Sequence, residues 1–304
     1  MTQVPRDGER THPDDHDETE YLGSRDLASW PSRWGRRLAE PVIAVAVGFH
    51  RYMDKRSIPY VVLLTTALIG VLIAAVLTGV SAEIYDNVTD KGGVAGLDRP
   101  VLNQMIEWRS PGLNQAVTDF TDIGSTAVMP LIATVAALLL AWWWRRWTPL
   151  LLMAIAAGGS VALTVVGKQT IDRARPARSL AVPPFETSPS FPSGHTLNTW
   201  VIALLVAYLI CLRLSALWGR VVTVVVALVF ALAMGLSRVY LGHHWLTDVL
   251  VGFTLGSAWL IVVITGHRLG LSVLRRQRTL AQQGDAEAGE DPHPNPGSGV
   301  PQTS

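Results

Sequence analysis

Three short segments gather the residues best suited to chemistry. The first runs from Lys168 to Arg175-Pro176, the second is Pro192-Ser193-Gly194-His195, and the third leads from Ser237-Arg238 to His244 and Asp248. Arg175 and Arg238 carry planar forks of N–H donors that fit phosphate oxygens in pairs, and Lys168 adds a compact point charge. Ser193 and Gly194 precede an apolar run of helical length, and a helix start offers unpaired backbone N–H groups and a dipole that favour an anion. Glycine there lets the backbone approach a ligand closely. His244 and Asp248 are four apart, hence neighbours on one face of a helix that begins near His244. A carboxylate so placed can accept the Nδ1 proton, leaving Nε2 as a nucleophile and stabilising the charge that develops when it reacts. His195 supplies a second imidazole, able to protonate a leaving oxygen. The set amounts to a phosphate cradle with a nucleophile and an acid.

The elements that must position these residues are apolar helices. Of the 304 residues only 16% are charged, against roughly 25% in an ordinary soluble protein, while 49% are hydrophobic. The apolar residues concentrate in six stretches, at 58–80, 126–144, 148–167, 196–212, 221–236 and 249–266, free of Asp, Glu, Lys and Arg. At 1.5 Å per residue these lengths match a hydrocarbon core of roughly 30 Å. The fifth is the shortest and needs residues 217–219 or residues beyond Ser237 to complete it. A soluble globular enzyme is excluded, and the expected class is an all-α, polytopic bundle of six transmembrane helices. Gly158 and Gly159 in the third stretch, and Gly252 and Gly256 in the sixth, suit close helix packing. Trp142, Trp143, Trp144 and Trp147 suit an interfacial belt. A net charge of +1, with basic residues scattered at helix ends, gives no reason to expect a nucleic-acid partner. The single cysteine, Cys211, rules out an internal disulfide.

Residues 1–57 read as a cytoplasmic tail, polar and unstructured at first and then an interfacial helix near 40–50. Residues 58–267 form the six-helix domain, and 268–304 a basic juxtamembrane segment with a Pro/Gly-rich tail. Short loops rich in Arg and Lys fix orientation. Arg51, Lys55 and Arg56, then Arg145 and Arg146, then Arg213 and Arg220, then Arg268, Arg275, Arg276 and Arg278 all fall on one side, so both termini are expected in the cytoplasm of a plasma-membrane protein. The loop at 82–125 lies on the other side, with a short amphipathic helix over 101–108 followed by Ser110-Pro111-Gly112. Lys168, Arg173, Arg175, Arg178 and Arg238 also lie there, against the orientation rule, which anion binding would explain. Arg173 and Arg178, with Asp172, read as solvated loop charges.

The three segments resemble the signature of the type 2 phosphatidic-acid phosphatase (PAP2) family: Lys, six residues, Arg-Pro; Pro-Ser-Gly-His; Ser-Arg, five residues, His, three residues, Asp. Every specified position is present in order, and the resemblance covers about residues 58–266. It implies a PAP2/haloperoxidase-like helical bundle that works without metal or other cofactor. It also implies His244 as the residue that becomes phosphohistidine, Asp248 as its orienting partner, and His195 as the acid that later activates water. Lys168, Arg175, Ser193, Gly194, Ser237 and Arg238 would hold the phosphoryl group. His243 is an extra imidazole beside the nucleophile.

His195, His244 and Asp248 have ligand types suited to zinc, yet three converging cations favour an anion over a divalent metal. The expected reaction is hydrolysis of a lipid phosphate at the outer leaflet. Phosphatidic acid, phosphatidylglycerol phosphate and polyprenyl diphosphates such as undecaprenyl diphosphate are the candidates, the last slightly favoured. Transfer to an acceptor alcohol through the same intermediate, and non-catalytic binding or transport of a lipid phosphate, are the alternatives. Transport is disfavoured because the polar residues gather at one surface and not mid-span.

Overall fold

The computed structural model describes residues 58–89 and 93–289. The expected N-terminal tail, the interfacial helix at 40–50 and the basic group Arg51, Lys55 and Arg56 lie outside the described residues, as does 290–304. The described residues form helices and no strand. In chain order these are α1 Ile58–Thr89, α2 Asp98–Glu107, α3 Pro111–Asp122, α4 Val128–Trp144, α5 Thr148–Ile171, α6 Gly194–Arg213, α7 Leu217–Tyr240 and α8 Leu246–Gly289, with short 3-10 turns at Gly93–Leu97 and Arg178–Leu180. Five of them, α1 and α5 to α8, are long and apolar enough to cross a membrane, and α4 is a shorter apolar helix of 17 residues. The six apolar stretches thus become six helices in an all-α bundle.

Helix α6 is the axis, packing on α4, α5, α7 and α8. Leu197, Val201, Leu205 and Leu209 recur every four residues and are fully buried, which places them on one helical face. They meet Ala133 and Ala137 of α4 and Met153 and Ala156 of α5 in one core. Between lipid-solvated helices close packing replaces the hydrophobic drive, so small residues sit at the contacts. A Cβ on Gly159 would come within 2.1 Å of the Trp259 ring, and one on Gly252 within 3.0 Å of Thr196, whereas Gly158 faces open space. Trp259 Nε1 donates to the Ala156 carbonyl at 3.0 Å across the same contact. Leu64, Leu68, Val71 and Leu72 of α1 and Val221, Val225 and Val229 of α7 are exposed, the faces that meet lipid.

Three features differ from expectation. A second helix, α3, occupies the loop at 82–125. Ser110 caps it by accepting from Leu113 N–H, and Pro111 stands at its first position, a strong helix start. Helix α8 runs unbroken past residue 267 to Gly289, through a stretch rich in Leu, Arg, Gln and Ala, all good helix formers. Trp144 departs from the expected belt: it is buried, with the Arg213 guanidinium 5.0 Å from its ring centroid, while Trp142 and Trp147 are exposed.

Candidate active site

Tight turns at one end of the bundle bring the three segments together. Asp172 ends α5 in the left-handed conformation at φ 43°, which aspartate tolerates better than most residues. The chain then doubles back, and Ser190 N–H donates to the Arg173 carbonyl at 2.8 Å. Gly242, at φ 72°, makes the turn from α7 into α8, and a Cβ there would meet the Leu180 carbonyl at 2.4 Å. Only glycine fits both the conformation and the gap. Arg109, just before α3, fastens this turn to the bundle, donating to the carbonyls of Tyr240 at 2.9 Å and Leu180 at 2.8 Å.

His244 is buried in this turn. Its Nδ1 lies 3.4 Å from Asp248 Oδ2, and its Nε2 lies 3.0 Å from Arg175 Nη1. The ring therefore turns one nitrogen to the carboxylate and the other to the cations. Burial, reinforced by Arg175, Arg238 and Lys168, holds its pKa well below the ordinary value. The ring is neutral, the form in which Nε2 keeps a lone pair.

Asp248 is fully buried and fully engaged. Ser190 Oγ donates to Oδ2, as does Trp245 N–H at 3.0 Å, and Arg173 Nη1 donates to Oδ1 at 2.5 Å. The other arm of Arg173 reaches Asp98 Oδ2 at 2.7 Å, and Asp98 accepts in turn from Thr247 N–H at 2.9 Å and Thr247 Oγ1 at 2.8 Å. An acidic side chain from α2 thereby caps the start of α8 and pairs the arginine that pairs Asp248. Arg173 is not a solvated loop charge.

The three motif cations converge on one segment, residues 186–189. Arg238, almost fully buried, donates through Nη2 to Glu186 Oε1 at 2.5 Å. Arg175 lies 3.7 Å from Glu186 Oε2 and donates to the Ser188 carbonyl at 2.7 Å. Lys168 Nζ donates to Ser188 Oγ at 3.0 Å and to the Pro189 carbonyl. Burial works to raise the Glu186 carboxyl, but Arg238 and then Arg175 outweigh it and hold it at about 2. Arg238 Nη1 donates to Thr121 Oγ1 at 3.1 Å, and its buried Nε has no acceptor.

The remaining motif residues surround this centre. His195 stands on the first turn of α6, its ring edge against Gly124, and interacts electrostatically with Glu186. Ser193 is the residue before α6, buried, with its N–H on the Asp248 carbonyl at 3.2 Å and its hydroxyl accepting from Thr196. Gly194 abuts Thr164 of α5, where a Cβ would come within 2.9 Å, so its smallness serves helix packing. Ser237 donates to Thr121 Oγ1 at 3.0 Å and to the Met234 carbonyl at 2.7 Å. Its link to the cations runs through Thr121. His243 points away from the centre, donating from Nε2 to the Val182 carbonyl at 2.8 Å, and burial lowers it to about 4. A cavity of about 460 Å³ opens beside Arg175, Glu186 and His243.

Asp98, Thr121, Arg173, Glu186 and Ser190 were not expected in the site. A periodic or spaced motif marks none of them. Asp98 and Thr121 come from the loop at 82–125, far away in sequence.

A neutral imidazole backed by a buried carboxylate can attack an electrophilic phosphorus, and the three cations beside it, two of which already pair with a carboxylate, can stabilise charge on its oxygens. Residues 148–269 match the family model described as the PAP2 superfamily. The chain is 35% identical over 178 residues to phosphatidylglycerophosphatase B of Bacillus subtilis (strain 168), covering 58% of this chain and 83% of that protein. It is 38% identical over 76 residues to glucose-6-phosphatase 3 of Bos taurus, covering 24% of this chain and 22% of that one. Among solved structures it is similar to a transmembrane PAP2-type phosphatidylglycerolphosphate phosphatase from Bacillus subtilis. There the TM-score is 0.55 at 28% identity, over 68% of this chain and 96% of that chain.

Proposed function

The chain belongs to the PAP2 superfamily of multi-pass membrane phosphatases, and from that premise we propose that it hydrolyses a lipid bearing a terminal phosphate through a phosphohistidine on His244. The observation that carries this reading is the orientation of His244: Nδ1 toward Asp248 at 3.4 Å and Nε2 toward Arg175 at 3.0 Å. The Nε2 lone pair attacks phosphorus as the bond to the leaving oxygen breaks. Arg175, Arg238 and Lys168 take up charge on the other phosphate oxygens. His195 donates its proton to the leaving oxygen. It then takes a proton from water, which attacks phosphorus, breaks the P–N bond and frees orthophosphate and neutral His244. Asp248 balances the positive charge that the ring carries while phosphorylated. No step in this scheme calls on a metal.

The substrate class is a membrane lipid, because the site lies at the ends of lipid-facing helices and the tail can stay in the bilayer. Likeness to a phosphatidylglycerophosphatase favours phosphatidylglycerophosphate, with polyprenyl diphosphates and phosphatidic acid presenting the same terminal group. Arg145, Arg146, Arg213 and Arg220 lie at the ends of α4 to α7 opposite the site, and Arg268 near the end of the apolar part of α8, which supports an extracytoplasmic site in the plasma membrane. The test is phosphate release by the purified full chain in detergent with excess EDTA, using phosphatidylglycerophosphate and undecaprenyl diphosphate, beside His244→Ala. Release by the parent alone is expected. Turnover retained by His244→Ala removes His244 as nucleophile, and activity lost to EDTA removes the metal-free scheme.

A further inference from the structure

Residues 186–189 supply oxygen acceptors to all three cradle cations: the Glu186 carboxylate to Arg238 and Arg175, the Ser188 oxygens to Arg175 and Lys168, and the Pro189 carbonyl to Lys168. An oxyanion from the protein itself occupies the place that the proposed function assigns to substrate phosphate. Resting on that reading, we infer that Glu186 determines specificity: its carboxylate is an internal competitor that excludes monoanionic phosphodiester headgroups and yields to a terminal phosphate.

A cradle of two arginines and a lysine at a membrane surface is surrounded by anionic phosphodiester lipids. Bare, it would bind whichever headgroup is most abundant. A carboxylate on a short loop competes as an intramolecular ligand, at an effective concentration that a monoanion in the membrane must exceed. Its hydrogen bond to Arg238, at 2.5 Å, joins two charged groups, the stronger kind. A phosphodiester brings one charge, the same as Glu186, and gains little by exchange. A terminal phosphate brings up to two charges and three free oxygens. The carboxylate leaves a donor unused that such a group could fill: Arg238 Nε is buried without an acceptor. Room for the exchange exists. The cavity beside Glu186 carries Arg178 in its wall, stacked 5.8 Å from the Phe185 ring, so the displaced carboxylate meets another cation there.

The test is calorimetric titration of the full chain in detergent at pH 7.5. The probes are orthophosphate and, separately, short-chain phosphatidylglycerol as the phosphodiester, each against the parent and Glu186→Gln. The parent is expected to bind orthophosphate and not the diester. Glu186→Gln is expected to bind the diester as well, and orthophosphate about tenfold tighter or more, the size of one charged hydrogen bond relieved. Glu186→Ala must move both affinities in the same direction, which guards against a fold-specific failure of the Gln variant. Equal orthophosphate affinity in parent and variants, or diester binding by the parent, overturns this inference and leaves the cradle standing. Weaker orthophosphate binding in both variants overturns it too, by making Glu186 a builder of the cradle. Absence of oxyanion binding in every protein overturns the cradle reading and this inference with it.

Discussion

Arg173 Nη1 lies 2.5 Å from Asp248 Oδ1, and that guanidinium is the bridge between Asp248 and Asp98 on α2. One arginine thus stands between two buried carboxylates, and its loss leaves both without their cation.

Arg173→Ala is therefore expected to damage both stability and turnover. Removing one partner of a buried pair costs about 3–5 kcal/mol, which lowers the thermal midpoint in detergent. An Asp248 free to shift lets the His244 ring drift, and misplacement near 1 Å costs about 10²-fold in rate. The kinetic signature is a fall in kcat with KM little moved, since Arg173 touches none of the cradle oxygens. Arg173→Lys, which keeps the charge but not the fork, should recover part of the stability and less of the rate. Steady-state kinetics beside thermal denaturation check it; a KM effect alone would place Arg173 in substrate binding instead.

Asp248→Asn keeps size and removes charge. The amide cannot stabilise a cationic phosphorylated ring, and it offers Arg173, Ser190 and Trp245 N–H one acceptor oxygen where they had two. A kcat lower by about 10³-fold or more is expected, by the logic of carboxylate–histidine pairs in general. Single-turnover measurement of phosphate release reads this directly, and a rate within a few-fold of the parent would show that the 3.4 Å pair does not serve the chemistry.

Thr121 ties α3 to the cradle by accepting from both Arg238 Nη1 and Ser237. Thr121→Val removes that acceptor at nearly constant volume and leaves a second buried N–H of Arg238 unpaired. Since hydrogen bonds to charged groups contribute about 1.5–3 kcal/mol, the expected result is a KM or orthophosphate Kd weaker by about tenfold, restored by Thr121→Ser. An unchanged Kd in the Val variant would mean that Arg238 is held by Glu186 alone.

What the sequence disclosed divides along physical lines. The six apolar helices were legible because a bilayer imposes length and hydrophobicity directly on the chain, and the three motifs because their residues cluster within a few positions of helix ends. Asp98 and Thr121 were not, since they arrive through the loop at 82–125 from 75 to 149 residues away from their partners. Arg173 and Glu186 are charges in a loop of charges, and the ion pairs they make in space separate them from solvated neighbours. Gly194 has a further role that its place at a helix start does not disclose: in space it makes room for Thr164.

His243, beside the proposed nucleophile, provides a control that distinguishes stability from chemistry. Its ring donates to the Val182 carbonyl and is buried, which lowers it from the ordinary 6.5 to about 4. Above pH 6.5 it is neutral whether the chain is folded or not, so its contribution to folding is fully present. Between 6.5 and about 4 the unfolded chain takes up the proton and the folded chain does not. Stability is therefore lost as pH falls through that window, at up to about 1.4 kcal/mol per pH unit for one proton. His244, also held neutral by burial, adds a loss in the same acid range. His243→Gln keeps a donor toward Val182 and removes the proton that His243 takes up. Thermal midpoints of the variant should decline less steeply than the parent's from pH 6.5 to 4.5, while phosphate release at pH 7.5 persists. Parallel declines would show that His243 takes up its proton in the folded state, and loss of turnover would bring its ring into the reaction after all.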